Sequence, residues 1–324
     1  MLGRGFMAAD RLVTTAILGP PILVGAALCA GMAALAQLGR WSPTWDLFTH
    51  FAVIYLAVGL FAVGASFAFV GRMRVAVAIA GVACALAAGL LMAPEYLRST
   101  GPKAAPDAAR TFKVVQFNAW SGRNGNTKLV NWLKAEKPDV VVVEESSNGV
   151  LEALAGAGWW PVAGRSGVML FTPGRPLAEI VPTDNLTGPM ELNGVVVSSP
   201  MGPVTVLGVH APWPTHLTFK RDHDLLVPIV RSYPAATTIL AGDFNSTPWS
   251  FARQRDDRDF GLIRRTRAVF TWPIAAYRRR LLPVLPIDHV YAGRGWATVK
   301  VERGPTLGSD HYPVVVTLAP TAPS

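Results

Sequence analysis

The alternation of apolar and polar positions divides this 324-residue chain into two parts. In the first hundred residues, apolar positions run on without a polar face. There are 28 residues free of Asp, Glu, Lys and Arg between Arg11 and Arg40, 25 between Asp46 and Arg72, and 20 between Arg74 and Glu95. A helix of about 20 apolar residues crosses the ~30 Å hydrocarbon core of a bilayer, so each stretch is long enough to span one. A soluble helix of this length without a polar face would be unusual, and three in succession are more so. Small residues recur in the stretches, among them Gly25, Ala26, Gly59, Gly64, Gly81 and Ala85, as close helix packing in lipid favours. The pattern predicts a membrane domain over residues 1–99 with three transmembrane helices, at about 12–38, 47–71 and 75–94, the first kinked at Pro20 and Pro21.

A linker rich in Gly, Pro and Ala is expected over 100–110, followed by a soluble domain over 111–319 and a short tail over 320–324. Here β-rich runs alternate with turns, at Phe112–Phe117, Val140–Val143, Val168–Phe171, Val195–Ser198, Val204–Val209, Thr238–Leu240, Ile287–Tyr291 and Val314–Leu318. Helical patterning covers Asn126–Ala135, Ser147–Ala157 and His216–Ser232. Strands outnumber helices and in places follow one another directly, which favours a mixed α/β sandwich over a doubly wound parallel sheet.

Composition strengthens the division. Apolar residues make up 51% of the chain and charged residues 16%, against about 25% charged in an ordinary soluble domain. Disorder is excluded, because it needs low hydrophobicity. The two cysteines, Cys29 and Cys84, both lie in apolar runs, so neither a disulfide scaffold nor a multi-cysteine zinc site can be built. The first apolar run is about twice the 7–15 residues of a signal-peptide core, which argues for a retained span over a cleaved leader. Arg4 and Arg11 precede that span, and Arg72 and Arg74 fill the second short loop. Against Arg40, Arg98 and Lys103 on the other side, this bias points the C-terminal portion out of the cytoplasm. The net charge of +9, carried by 23 Arg and 7 Lys, suits phosphate-bearing partners or an anionic membrane.

The candidate chemistry sits where the predicted strands end. Asn118 closes the first strand, Glu144-Glu145 the second, His210 the fifth and Asp243-Phe244-Asn245 the sixth; Asp288-His289 and Ser309-Asp310-His311 follow. Any one of these could simply cap a turn, but six in order are a different matter. Carboxylates and an amide are hard oxygen ligands suited to Mg²⁺ or Mn²⁺. No zinc-type histidine spacing, phosphate-binding glycine loop or Gly-x-Ser-x-Gly elbow is present. What remains is metal-assisted attack of water on a phosphorus ester.

The set Asn118, Glu145, His210, Gly242-Asp243-Phe244-Asn245, Asp288 and Ser309-Asp310-His311 resembles the endonuclease/exonuclease/phosphatase superfamily, with its deoxyribonuclease-I-like and exonuclease-III-like branches. The resemblance covers about 200 residues, from Phe112 to Val316. It implies an α/β (α+β) sandwich of two packed mixed β-sheets flanked by helices. It also implies that Glu145 binds the metal with Asn118 beside it and Asp310 supporting. Asp243 would orient and activate water, and Asn245 would hold that water or a phosphate oxygen. His311, oriented by Asp288, would contact the scissile phosphate, while His210 binds it from the other side or protonates the leaving oxygen. Superfamily members usually carry Gln before the metal-binding Glu; here Glu144 stands there, and His289 is expected to be structural. The N-terminal spans are similar to those of membrane-attached bacterial members, which implies a multi-pass protein of the bacterial inner (cell) membrane with a periplasmic or extracytoplasmic catalytic domain.

Between two of these motifs, Arg253–Arg280 carries nine Arg against three Asp, with Phe270, Trp272 and Tyr277 interleaved. It reads as a solvated loop, or as a cleft wall that attracts phosphates through Arg278, Arg279 and Trp272. In a third reading, Arg278-Arg279-Arg280 and the apolar Leu281–Leu285 rest on an anionic lipid surface. The expected partners are the bilayer and a phosphate ester, either a phospholipid headgroup or lipid-linked phosphate or a nucleic acid; no obligate protein partner is indicated. The competing functions are a non-specific nuclease and a non-catalytic phosphate-binding membrane receptor, though a relict receptor should have lost part of the polar set.

Overall fold

The computed structural model describes residues 2–122, 126–163, 167–180, 190–215, 219–276 and 279–321. The chain forms two compact units, Met1–Arg98 with Trp249–Ala252, and Ser99–Pro248 with Arg253–Ser324.

In the first unit the apolar stretches are helical: α1 (Leu2–Ala36), the single turn α2 (Pro43–Asp46), α3 (Ala52–Ser66) and α4 (Gly71–Leu97). Helical stretches Asp10–Arg40, Pro43–Ser66 and Gly71–Leu97 are long and apolar enough to cross a membrane. The helix α1 continues through Pro20 and Pro21. At the crossing of α3 and α4, Gly59 and Gly81 face each other: a Cβ on either would lie 2.8 Å from the other's carbonyl oxygen. Backbones can approach this closely only without side chains, the way helices gain packing where water supplies no hydrophobic drive.

The second unit is a sandwich of two six-stranded mixed sheets. Its strands are β1 (Phe112–Asn118), β2 (Val140–Glu144), β3 (Trp160–Ala163), β4 (Met169–Thr172), β5 (Ala178–Ile180), β6 (Glu191–Ser199) and β7 (Gly202–His210). They continue with β8 (Ile239–Asp243), β9 (Ile263–Arg264), β10 (Ala275–Ala276), β11 (Arg279–Arg280), β12 (Asp288–Ala292), β13 (Trp296–Arg303) and β14 (Val314–Pro320). One sheet has the order β13-β14-β1-β2-β4-β3, the other β5-β6-β7-β8-β12-β9, and β10-β11 form a separate ribbon. Each large sheet is built around one parallel pair, β1 with β2 and β7 with β8.

Period-two alternation explains the layers. Val114, Val140 and Val142 point between the sheets with Val206, Ile239 and Val290. Their neighbours Val115, Val141 and Val143 point outward, under Leu129 and Leu133 of α5 (Asn126–Glu136) and Val150 and Leu154 of α6 (Asn148–Gly156). Leu226 and Val230 of α7 (Phe219–Arg231) cover Leu207, Val209 and Leu240 on the other sheet. Burial on both faces is why Val140–Val143 reads as an unbroken apolar run.

Several elements escape the apolar pattern. Helix α8 (Phe251–Asp259) is Phe-Ala-Arg-Gln-Arg-Asp-Asp-Arg-Asp, with no apolar stripe to predict it. Ion pairs surround it: Arg253 with Asp256, and Arg264 with Asp257, whose Nη2 and Oδ2 are 2.7 Å apart. The edge strand β13 alternates Val with Lys and Glu, and β3, β5 and β9 are four residues or fewer. The segment after α4 is fastened to the sandwich. Arg265 donates to Thr100 O at 3.2 Å, Thr298 N to Pro102 O at 2.8 Å, and Ala104 N to Thr298 O at 3.0 Å.

Candidate active site

The sheet registers line up the polar strand ends. Glu191 pairs with His210, His210 with Asp243, and Asp243 with Asp288, so one row crosses β6, β7, β8 and β12. In the facing sheet, Asn118 pairs with Glu144 across β1 and β2. Gly242 permits the close approach of β7, since a Cβ there would lie 1.8 Å from Val209 O.

Side chains then join the two sheets. Asn118 Nδ2 donates to Glu145 Oε1 and to Asp243 Oδ2, each at 3.0 Å. Asp243 Oδ1 accepts from Asn245 N at 2.8 Å, a tight Asx turn. Asn245 Nδ2 donates to Ala211 O at 2.8 Å and faces His210 Nε2 at 3.4 Å. The Ser309 hydroxyl donates to Asn118 O at 2.7 Å and accepts from His311 N at 3.0 Å, pinning the third motif to the end of β1. Glu145 and Asn245 have φ of 46° and 47°, the left-handed region that non-glycine residues seldom occupy. Such strain persists where surrounding contacts over-determine the backbone, as at functional sites.

Two histidine–carboxylate pairs flank Asp243. His311 Nδ1 donates to Asp288 Oδ2 at 2.9 Å, with its Nε2 3.7 Å from Asp243 Oδ2. Burial alone would lower the His311 pKa, but the carboxylates of Asp288, Asp243 and Asp310 outweigh it and raise it to about 9. On the other side, His210 Nδ1 donates to Glu191 Oε2 at 3.2 Å and its Nε2 is 3.9 Å from Glu145 Oε1. Burial again opposes the imidazolium, yet the bond to Glu191 with Asp243 and Glu145 nearby raises its pKa. Glu191 is lowered by the same bond.

The sequence reading missed Glu191. It begins a strand after an unpatterned stretch, and only the β6–β7 register puts it beside His210. Glu144 is fully buried, and Gln116 Nε2 donates both to its Oε2 at 2.9 Å and to Asp288 Oδ1 at 2.7 Å. Burial, then Asp288 and Asp243, hold the Glu144 pKa well above the ordinary carboxylate range. Glu145, one residue on, is instead partly exposed, its side chain at 35%.

Asp310 faces the same ring nitrogen of His311 as Asp243 does. Its Oδ1 is 4.0 Å from His311 Nε2, and its Oδ2 accepts from Trp272 Nε1 at 2.9 Å. Trp272 thus flanks the site, its ring centroid 6.3 Å from that of His311. Arg279 lies on β11, and Arg278 falls outside the described residues. Of the other arginines in this segment, Arg253, Arg264 and Arg265 are buried and cannot face substrate. His289 is buried and donates to Ser246 O at 2.9 Å, a structural role.

The donor chemistry fits a hard divalent cation. Asp243, Asp288 and His311 offer ligand atoms within 4.8 Å of one another, all buried. Burial and then the Asp288 charge push the Asp243 pKa up to about 6, against the lowering effect of His311 and His210. His311 lies between Asp243 and Asp288, and the partly exposed carboxylate of Glu145 lies beside Asn118.

This sandwich, with acids, amides and imidazoles at the facing ends of its central strands, has the architecture of metal-dependent phosphoester hydrolases. The family model described as "Endonuclease/Exonuclease/phosphatase family" matches residues 115–311, and the chain belongs to that family. Its members are generally dependent on a divalent metal. Among solved structures, an endonuclease/exonuclease/phosphatase from Bacteroides vulgatus is 15% identical, with 65% of this chain and 99% of that one covered and a TM-score of 0.55. A functionally unknown conserved protein from Enterococcus faecalis is also 15% identical, covering 65% and 100%, with a TM-score of 0.51. TDP2 from D. rerio, solved with a single-strand DNA product, is 13% identical, covering 64% and 99%, with a TM-score of 0.50. At such identities the likeness is one of fold. No curated protein sequence matches the chain.

Proposed function

We propose that this protein is a membrane-anchored, divalent-metal-dependent phosphoesterase that hydrolyses a phosphodiester or phosphomonoester by attack of water. The observation that carries this reading is the convergence of Asn118, Glu145, His210, Asp243, Asn245, Asp288 and His311 in one hydrogen-bonded cluster. Glu145 and Asn118, supported by Asp310, would hold Mg²⁺ or Mn²⁺. When bound, such an ion neutralises phosphoryl oxygens and polarises the ester.

The chain's own groups supply the remaining steps. Asp243, fixed by Asn118 and the Asn245 amide, accepts the proton of the attacking water, with the Asn245 side chain holding that water or a phosphate oxygen. His311, kept charged by Asp288, stabilises the negative charge that develops on the phosphoryl group. His210, oriented by Glu191, gives its proton to the departing oxygen.

A phospholipid headgroup or lipid-linked phosphate suits the site better than nucleic acid. A nuclease needs a track of cations along many phosphates; among the described residues of 253–280, Arg253, Arg264 and Arg265 are buried and Arg255 and Arg267 half-buried, which leaves Arg258 and Arg280 exposed. The test uses the full chain in nanodiscs with Mg²⁺ or Mn²⁺, assayed against soluble phosphomonoesters and phosphodiesters, phospholipids, DNA and RNA. Metal-dependent release of phosphate or alcohol from a soluble ester or phospholipid is expected, with weak salt dependence. Turnover confined to nucleic acid and falling steeply with salt would establish the nuclease reading instead. The bias of basic residues toward the loops before the first span and after the second supports a catalytic unit outside the cytoplasm of a bacterial cell. A reporter fused after Leu318 should be active outside the cytoplasm, and cytoplasmic activity would reverse that orientation.

A further inference from the structure

The ribbon that carries Trp272 leaves apolar side chains in the open. Trp272 N donates to Leu285 O at 3.1 Å and Leu281 N to Ile274 O at 2.9 Å, while Ala275 pairs with Arg280 between β10 and β11. Its stem is bonded to the histidine loop: Ile274 N donates to Asp310 O at 2.9 Å, and Tyr312 N to Thr271 O at 3.0 Å. Directly after the exposed Arg280, Leu281 is 40% exposed and Leu282 85%. Trp213, 47% exposed, meets Trp272 edge-on with ring centroids 5.2 Å apart. Among the described residues of this unit, the large apolar side chains so exposed are Trp160, Leu177, Trp213, Leu281 and Leu282, and three of these five lie on or against the ribbon. Scattered exposed apolar residues are ordinary, whereas a gathered patch marks an interaction surface.

We propose that this ribbon contacts lipid. Leu281, Leu282 and Trp213 enter the boundary between headgroups and acyl chains of an anionic bilayer, with Arg280 at headgroup level. The histidine loop bonded to the stem is thereby presented to phosphoesters carried by lipid, a step that rests on the phosphoesterase reading above. Leucine and tryptophan beside a cation form the pattern that settles at a bilayer surface, and anionic headgroups draw arginine to them. The bilayer is also a partner that the chain itself brings, since three of its helical stretches are long and apolar enough to cross one. A nucleic-acid groove would instead set a row of exposed arginines along the segment; those at 253, 264 and 265 are buried and those at 255 and 267 half-buried, leaving Arg258 and Arg280 in the open among the described side chains.

The experiment reconstitutes the full chain in nanodiscs of phosphatidylcholine alone or mixed with phosphatidylglycerol. Leu282→Cys, in a chain also carrying Cys29→Ala and Cys84→Ala, is labelled with an environment-sensitive nitrobenzoxadiazole dye. The dye should brighten and shift to the blue in the anionic discs, and lipid-borne nitroxide should quench it. Emission at the aqueous wavelength in both discs, or a shift seen only on adding single-stranded DNA, overturns the proposal. In a second arm, the Leu281→Ser/Leu282→Ser variant should hydrolyse a fluorescent lipid phosphodiester about tenfold more slowly, relative to its own rate on a soluble diester, than the unmodified chain does. An unchanged ratio counts against lipid contact. If the unmodified chain cleaves neither ester, the phosphoesterase reading falls while the dye still decides the ribbon.

Discussion

The two histidine–carboxylate pairs beside Asp243 have the same chemistry and different access to water. His311 and Asp288 are sealed, their side chains 5% and 0% exposed. His210 and Glu191 sit nearer the surface, at 19% and 33%. Charge attraction in a dry environment is stronger than in water, so the sealed carboxylates favour the charged form of His311. The outer pair keeps contact with solvent and can renew a proton after giving it up. Placed on either side of one carboxylate, the pairs divide the proposed work: one stabilises charge and the other moves a proton.

Substitutions can break that contrast. Asp243→Asn, between the pairs, is expected to lower kcat by about 10³-fold with an unchanged thermal melt, as loss of a general base does; steady-state kinetics and calorimetry would show it. Asp288→Asn should lower kcat by about 10²-fold with little change in KM, because His311 loses its orientation and charge together. Glu191→Gln should cost only about tenfold, since water can replace part of what Glu191 does for His210. Equal losses in these two variants would mean that burial does not set the roles.

A binding measurement sharpens the comparison further. Mg²⁺ or Mn²⁺ should raise the melting temperature of the full chain, since a ligand that binds only the folded state stabilises it. Glu145→Gln should shrink that rise, and Glu191→Gln should leave it nearly intact. A rise that survives Glu145→Gln would move the cation to the Asp243, Asp288 and His311 group.

Much of the site is legible in the sequence because β-strands deliver their ends to a common rim, so Asn118, Glu145, His210, Asp243 and Asp288 can be read in order from their flanking apolar runs. Glu191 is not legible in this way: nothing local marks it, and its partner lies 19 residues away across a register that the chain chooses only when the sheet forms. Nor is the division of the arginines, since Arg264 and Arg265 look solvent-bound in a basic stretch but are buried against Asp257 and the carbonyls of Gly293 and Trp296.

Capacity to cross a bilayer is a matter of length and apolar content, and the first hundred residues carry both in plain order. The sandwich likewise follows from alternation, a local property. Which carboxylate orients which imidazole, which of Glu144 and Glu145 is sealed, and which arginines ever see solvent are long-range outcomes. They depend on strand register and desolvation, and both exist only once distant segments have packed together.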